Sequence, residues 1–306
     1  MKFWIILAAL LASPTAFAEM REWKTADGGK TITAEYIRSE DGKVTILRKR
    51  DRRTFTLDLD KLSEEDQAWV KQKEEEAPAG EDGKKADEEF SKLLSGEWER
   101  HEGHDLKYRI FGDRKLRKSK DAGYPLLIYL HGRGGDVMTP KEPWQANVFS
   151  KKDNYRKREC FIISPQCPDV NGWNGDKANN VVKIIEELVK KLSIDEKRIY
   201  LTGYSMGGFG TFHLLAQEPK LFAAGIPIAG GGYPSTAESF KKVPVWVFHG
   251  AKDPTVNVRL SRLMVEALKE AGGEPKYTEY PDGDHGIADQ VLKDEDVHEW
   301  LFAQSR

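Results

Sequence analysis

The sequence predicts an α/β chain: a mostly parallel sheet flanked by helices, preceded by a small N-terminal β unit. Three observations carry this prediction. From Glu97 onward, short apolar runs alternate with amphipathic stretches, as expected for strands buried between covering helices. Within that region, Arg198-Ile199-Tyr200-Leu201-Thr202-Gly203-Tyr204-Ser205-Met206-Gly207-Gly208 reads as strand, sharp turn and helix. Before residue 73, apolar and polar residues alternate at period two, the pattern of half-buried strands.

In chain order, Met1–Ala18 has the form of a secretory signal peptide. Lys2 supplies the positive start, Phe3–Ala12 the apolar run and Ala16-Phe17-Ala18 the cleavage site. About ten apolar residues are too few for a bilayer that needs ~20, and no cysteine at the cleavage site offers a lipid anchor. The expectation is an exported chain, secreted or periplasmic, starting near Glu19 and without a membrane segment after cleavage.

Residues 19–72 form the small β unit. Ile32, Ala34 and Tyr36, then Val44 and Ile46, then Phe55, Leu57 and Leu59 alternate with polar neighbours, and Asp41-Gly42 turns the first pair. Ser63-Glu64-Glu65-Asp66 caps a short helix through Trp69 and Val70. Residues 73–96 open with Lys73–Glu89, which is rich in charge, Ala, Gly and Pro and reads as a flexible linker.

The larger unit covers 97–306. Strands are expected at Leu126–Leu130, Phe161–Ser164, Arg198–Thr202, Ala223–Ala229, Val243–Phe248 and Lys276–Tyr280, with Leu106–Phe111 as an antiparallel edge. Asn180–Leu192 and Val258–Ala271 are amphipathic helices, and Met206 to about Gln217 is helical.

Composition excludes several function classes. Lys plus Arg is 48 and Asp plus Glu is 50, so there is no basic footprint for nucleic acid. The cysteines are Cys160 and Cys167. Seven extended residues span roughly 23 Å, too far for a bridge unless the chain folds back after Pro165, so two free, mostly buried thiols are expected. No zinc spacing is present, and the close pair His101 and His104 reads as loop histidines rather than metal ligands. No cofactor is implied.

Ser205 carries the chemistry. Gly203 and Gly207 bracket it in G-x-S-x-G, where strand and helix nearly touch and leave no room for side chains. A serine hydroxyl needs a base, and the base needs an orienting group. Beyond Ser205, the end of the strand Val243–Phe248 carries Asp253, which also fits a helix N-cap, and the end of Lys276–Tyr280 carries His285. Asp282 and Asp284 are rival acids, but they share the tight turn of His285. His298 falls in a C-terminal helix and is expected at the surface. The oxyanion requires backbone N–H donors. Met206 supplies one, and Arg133 of His131-Gly132-Arg133-Gly134-Gly135 the other. The guanidinium of Arg133 faces either solvent or an acidic substrate, and His131 is structural. Trp173, Tyr204 and Tyr233 lie near the expected mouth as stacking candidates. Trp173 stands among polar turn residues, so exposure and core burial are both open.

Two resemblances add to this reading. Arg21-Glu22-Trp23-Lys24, Asp27-Gly28-Gly29-Lys30-Thr31, Ala34-Glu35-Tyr36 and Lys61-Leu62-Ser63-Glu64-Glu65-Asp66-Gln67 are similar to a small SH3-like barrel, the homology domain first named from a yeast actin-assembly adaptor. That likeness carries over no ligand. Pro165-Gln166-Cys167-Pro168, Gly203-Tyr204-Ser205-Met206-Gly207-Gly208, Phe248-His249-Gly250-Ala251-Lys252-Asp253 and Trp300-Leu301-Phe302-Ala303-Gln304 resemble the secreted α/β-hydrolases of the peptidase and phospholipase/carboxylesterase-like group, relatives of polyhydroxybutyrate depolymerases and feruloyl esterases. The resemblance implies an α/β-hydrolase that cleaves a small or polysaccharide-linked ester through an acyl-enzyme. The chain departs from that group after His285, where Gly286-Ile287-Ala288-Asp289 replaces a polar segment with Trp, leaving substrate preference open. The alternatives are a serine peptidase of the same fold and a non-catalytic binding protein.

Overall fold

The computed structural model describes residues 20–40, 42–48, 53–76, 88–117, 123–168 and 170–306. The leader expected at 1–18, Asp41 of the first turn and residues 77–87 of the expected linker lie outside these. The chain divides into two compact units, Met1–Glu81 and Asp82–Arg306.

In the first unit, strands β1 (Met20–Lys24), β2 (Thr31–Glu40), β3 (Lys43–Arg48) and β4 (Arg53–Asp58) pair in sequence order. All three pairings are antiparallel. Glu40 faces Lys43 across the first hairpin, as a two-residue turn requires. The core is Trp23, Ala34, Val44, Ile46, Leu62 and Val70, with Tyr36 and Trp69 packed edge-on to one another against it. Helix α1 (Glu64–Glu76) starts at a reciprocal cap: the Asp66 amide donates to Ser63 Oγ at 3.2 Å, and the Ser63 hydroxyl donates back to Asp66 Oδ2 at 2.8 Å. The helix continues past Val70 because Lys71-Gln72-Lys73-Glu74-Glu75-Glu76 are good helix formers, although their charge reads as linker.

The second unit also begins earlier than composition suggests. Helix α2 (Glu88–Lys92) precedes Glu97, and Phe90, Leu94 and Trp98 are buried in this unit's core. Phe90, Leu93 and Leu94 recur at helical spacing within a charged stretch, which hides their apolar face from a reading by composition. An eight-stranded sheet follows, built from β5 (Glu99–Gly103), β6 (Leu106–Phe111), β7 (Tyr124–Leu130), β8 (Phe161–Pro165), β9 (Ile194–Tyr204), β10 (Ala224–Ile228), β11 (Trp246–Gly250) and β12 (Lys276–Tyr280). Its spatial order is β12-β11-β10-β9-β7-β8-β6-β5. Strands β7 to β12 pair in parallel. Strand β6 is antiparallel, as expected, yet it is not the edge, because β5 pairs beyond it. The alternating charges of Glu99–Gly103 suit a half-exposed edge strand.

The parallel strands are continuous apolar runs for a physical reason: helices cover both faces. All residues of β7, β8 and β10 are buried. The cover comes from α3 (Asn147–Ser150), α4 (Lys152–Lys157), α5 (Gly175–Lys191), α6 (Met206–Gln217), α7 (Ala237–Phe240), α8 (Arg259–Glu270), α9 (Ala288–Lys293) and α10 (Glu295–Phe302). Helix α5 buries Val181, Ile184, Ile185 and Leu188, the apolar stripe legible in the sequence. Cys160 and Cys167 are both buried, and neither is in a disulfide. His298, expected at the surface, is instead 2% exposed. Its Nε2 donates to the Leu292 carbonyl at 2.7 Å, and its ring packs on Phe149, so α10 turns this residue inward.

Candidate active site

The site is assembled at the carboxyl ends of β9, β11 and β12, where parallel sheets present functional groups. Ser205 stands at the turn from β9 into α6 with φ of 54°, a strained value for a side-chain-bearing residue. The strain is held by packing. The Ser205 amide donates to Ile228 O at 2.9 Å, and the Phe209 amide donates to Ser205 O at 3.0 Å. A Cβ on Gly203 would lie 2.4 Å from Gly207 O, and one on Gly207 would lie 1.9 Å from Leu130 O. Both contacts are with backbone, so only glycine fits at either side of the serine.

His285 Nε2 lies 3.0 Å from Ser205 Oγ, and its Nδ1 lies 2.7 Å from Asp253 Oδ2. A carboxylate faces Nδ1, so Nδ1 carries the proton and Nε2 is free to accept one from the hydroxyl. The Asp253 side chain is fully buried. Its Oδ1 accepts the amides of Thr255 at 2.8 Å and Val256 at 2.9 Å, so the residue closes a turn and faces the histidine at once. Burial alone pushes its carboxyl up, but the hydrogen bonds from His285, Val256 and Thr255 outweigh burial and hold it below the ordinary value. The rival carboxylates point elsewhere: Asp282 pairs with Lys252 at 2.5 Å, and Asp284 accepts the Gly286 amide at 2.7 Å.

The loop after β7 lies directly against the serine, since a Cβ built on Gly132 would be 3.4 Å from Ser205 Cβ. Met206 opens α6, and the first amides of a helix have no intrahelical acceptor. Arg133 and Met206 both border the cavity in front of Ser205, with the Arg133 side chain exposed. His131 is buried beneath this loop: its Nδ1 donates to Gly132 O at 2.7 Å, and its Nε2 accepts the Cys167 amide at 2.9 Å. Gln166 ties the same loop down, donating to Gly135 O at 3.0 Å and accepting the Val137 amide at 2.8 Å.

The three aromatic candidates take different places. Trp173 is 2% exposed. Its indole N–H donates to His131 O at 3.1 Å and its ring packs edge-on to His131, so it braces the loop from a buried position while still lining the cavity that includes Ser205. The glycines around it permit a tight turn that folds the indole inward against Gly210, the buried one of the two placements that its polar flanking residues left open. Tyr204 sits behind the histidine: its hydroxyl donates to His285 O at 2.9 Å, and the two ring centroids are 5.0 Å apart. The more open aromatic in front of the serine is Tyr233, which is 75% exposed against 37% for Phe209. With Val170, Phe209, Leu260 and Arg133 it borders a cavity of about 800 Å³ that includes Ser205. Phe209 belongs to the G-x-S-x-G segment and Leu260 to an amphipathic helix, and neither shows in sequence that it faces a cavity. His101 and His104 diverge, the first packing on Phe90 and Tyr108 and the second pairing with Glu187 at 3.2 Å.

A mostly parallel sheet with a serine at a strand–helix turn defines the α/β-hydrolase class. Residues 174–301 match the phospholipase/carboxylesterase family. Acyl-protein thioesterase 1 of Neurospora crassa is 36% identical over 207 residues, which is 54% of this chain and 82% of that protein. The chain belongs to the phospholipase/carboxylesterase family. A bifunctional acetylxylan esterase/xylanase of Neocallimastix patriciarum is 26% identical over 53% of this chain, which spans only 23% of that relative. The crystal structure of a thermostable esterase superposes with a TM-score of 0.64 at 35% identity, covering 70% of this chain and 64% of that one.

Proposed function

We propose that the chain is an exported serine hydrolase of carboxylic esters, with residues 20–76 as a separate β module ahead of the catalytic unit. The observation that carries this reading is the hydrogen-bonded series Ser205–His285–Asp253, at 3.0 and 2.7 Å, opening on the cavity. Ser205 Oγ attacks the ester carbonyl while its proton passes to His285 Nε2, and Asp253 stabilises the resulting imidazolium. The amides of Arg133 and Met206 receive the oxyanion. His285 then returns the proton to the departing alcohol, leaving an acyl-enzyme. Water adds to that acyl group as His285 takes its proton, and the carboxylic acid leaves with Ser205 restored.

The cavity guides the substrate. At about 800 Å³ it lies in the range of pockets that hold drug-sized ligands. Its walls of Val170, Phe209, Tyr233 and Leu260 suit an aromatic or medium-chain group better than acetyl alone. Together with the likeness to an acetylxylan esterase, this favours an ester carried on a polysaccharide, with a feruloyl group matching the walls better than acetyl.

The test is hydrolysis by purified protein of p-nitrophenyl acetate and butyrate, methyl ferulate, acetylated xylan and a peptide anilide, with Ser205→Ala alongside. Ester turnover lost in the variant is expected, with methyl ferulate preferred over short acyl esters. Hydrolysis retained by Ser205→Ala refutes the mechanism, and cleavage confined to the anilide makes the chain a peptidase.

A further inference from the structure

His249, on β11, is fully buried although it belongs to an otherwise apolar strand. An imidazole in such a place is costly unless its nitrogens are used. Both are. Nε2 lies 2.9 Å from Val256 O and 3.2 Å from Asp253 Oδ2, and both of these can only accept. Nε2 therefore carries a proton. Nδ1 lies 2.7 Å from the hydroxyl of Ser261, a buried residue of α8 whose Oγ is also 2.9 Å from Gly230 O. The ring is thus fixed at both ends, with its Nε2–H given to Val256 O and passing 3.2 Å from the carboxylate oxygen that faces His285.

The oxygen it addresses matters. Oδ1 of Asp253 is occupied by the amides of Thr255 and Val256, while Oδ2 receives His285 Nδ1–H. His249 reaches that same Oδ2. We propose that His249 is a positioning residue for ester hydrolysis: its Nε2–H shares Oδ2 of Asp253 with His285, holding the carboxylate in line and drawing off part of its basicity. His285 Nδ1 consequently meets a carboxylate whose Oδ2 is already partly engaged and whose orientation is fixed from its far side. The inference rests on the triad reading of Ser205, His285 and Asp253.

The surrounding charges leave this balance to the three side chains. Burial keeps His249 below the ordinary histidine value, so it remains the neutral Nε2–H form. Glu279 of β12 is the other carboxylate that acts on His249, and it is tied to Arg262 at 2.6 and 2.8 Å and to the Tyr277 hydroxyl at 2.5 Å. Around His285 stand Asp253, Ser205, the Tyr204 ring and the neighbouring Asp284, whose Oδ1 is engaged by the Gly286 amide.

The experiment measures kcat and KM on p-nitrophenyl acetate across pH for the full chain and for His249→Leu, His249→Gln and Ser261→Ala, with a thermal melt of each. His249→Leu is expected to lower kcat about ten- to a hundredfold, the range for losing a hydrogen bond to a charged group, with KM little changed. The acidic limb should move up by about one unit. His249→Gln restores an N–H near Nε2 and should return both towards wild type. Ser261→Ala, which frees one end of the ring, should shift the limb in the same direction by less. Nuclear magnetic resonance titration of His285 in the Ser205→Ala protein, with and without His249→Leu, should show the same upward shift without any turnover. Unchanged kinetics in a folded His249→Leu protein overturn the proposal, as does a loss of activity with the limb unmoved and no rescue by Gln. If the Leu variant does not fold, an unmoved limb in Ser261→Ala overturns it. Hydrolysis surviving in Ser205→Ala would instead refute the triad reading itself.

Discussion

Replacing Gly207 with alanine puts a methyl group where the Leu130 carbonyl already stands. The new Cβ would lie 1.9 Å from Leu130 O, 2.6 Å from its carbonyl carbon and 3.0 Å from His131 O. These are backbone atoms at the end of a fully buried strand, so no rotamer change relieves the clash. Strand and helix must part by about 1 Å or more, and a displacement of that size at a reacting group costs on the order of a hundredfold in rate. The moving parts are the Ser205 turn and the loop carrying the Arg133 amide, so the loss should appear in kcat. Overpacking of this kind also costs about 1–3 kcal/mol of stability. Steady-state kinetics on p-nitrophenyl butyrate and a thermal melt would read both effects. Gly103→Ala is the control, because its Cβ would come no closer than 3.4 Å to the end of the Glu187 side chain. A Gly207→Ala protein with wild-type kcat and melting temperature would refute the close-packed turn.

Further outcomes follow from the same geometry. Asp253→Asn should lower kcat on the order of 10⁴-fold while the protein stays folded, because an amide favours the wrong tautomer of His285; a loss under tenfold would contradict its orienting role. Trp173→Ala should cost about 3–5 kcal/mol as a cavity beside the His131 loop, with activity falling in step; a variant as stable as wild type that lost only substrate affinity would restore Trp173 as a stacking residue. His131, His249 and His298 are each held below the ordinary histidine value chiefly by burial. The unfolded chain therefore binds more protons as pH falls below about 6.5, so the stability they contribute is complete above that pH and is lost on acidification. The melting temperature should drop between pH 6.5 and 5, and His298→Gln should flatten that slope. A flat profile would contradict the buried neutral state.

Much of this chain was legible in its sequence because the relevant physics is local. Parallel strands covered on both faces are apolar where they are buried, so β7, β8 and β10 show as runs close to their observed bounds. Strand β9 begins earlier than its run, at Ile194 and through charged residues, and β11 lies further on, at Trp246–Gly250. The turn that lifts Ser205 out of the sheet must be bracketed by residues without side chains, so Gly203 and Gly207 reveal it. Chain order and strand ends single out Asp253 and His285, and the structure brings both within hydrogen-bonding distance of one another.

What escaped depends on contacts between distant segments. Phe90 and Leu94 are apolar residues in a charged stretch, and only the packed core shows them as part of the second unit. Trp173 and His298 lie among polar neighbours yet turn inward, because local polarity does not fix which way a side chain faces. The reverse holds for Phe209, which sits in an apolar motif but borders the cavity. His249 carries no sequence signal beyond a strand-end histidine; its link to Asp253 exists because the turn at Thr255–Val256 folds the carboxylate back over the strand. The sequence by itself determined most of the elements, their order and the candidate reacting groups, since periodicity and turn chemistry act over a few residues. Tertiary structure alone decided which side chains brace the site and which line the cavity, since burial and hydrogen-bond partners are properties of the assembled sheet.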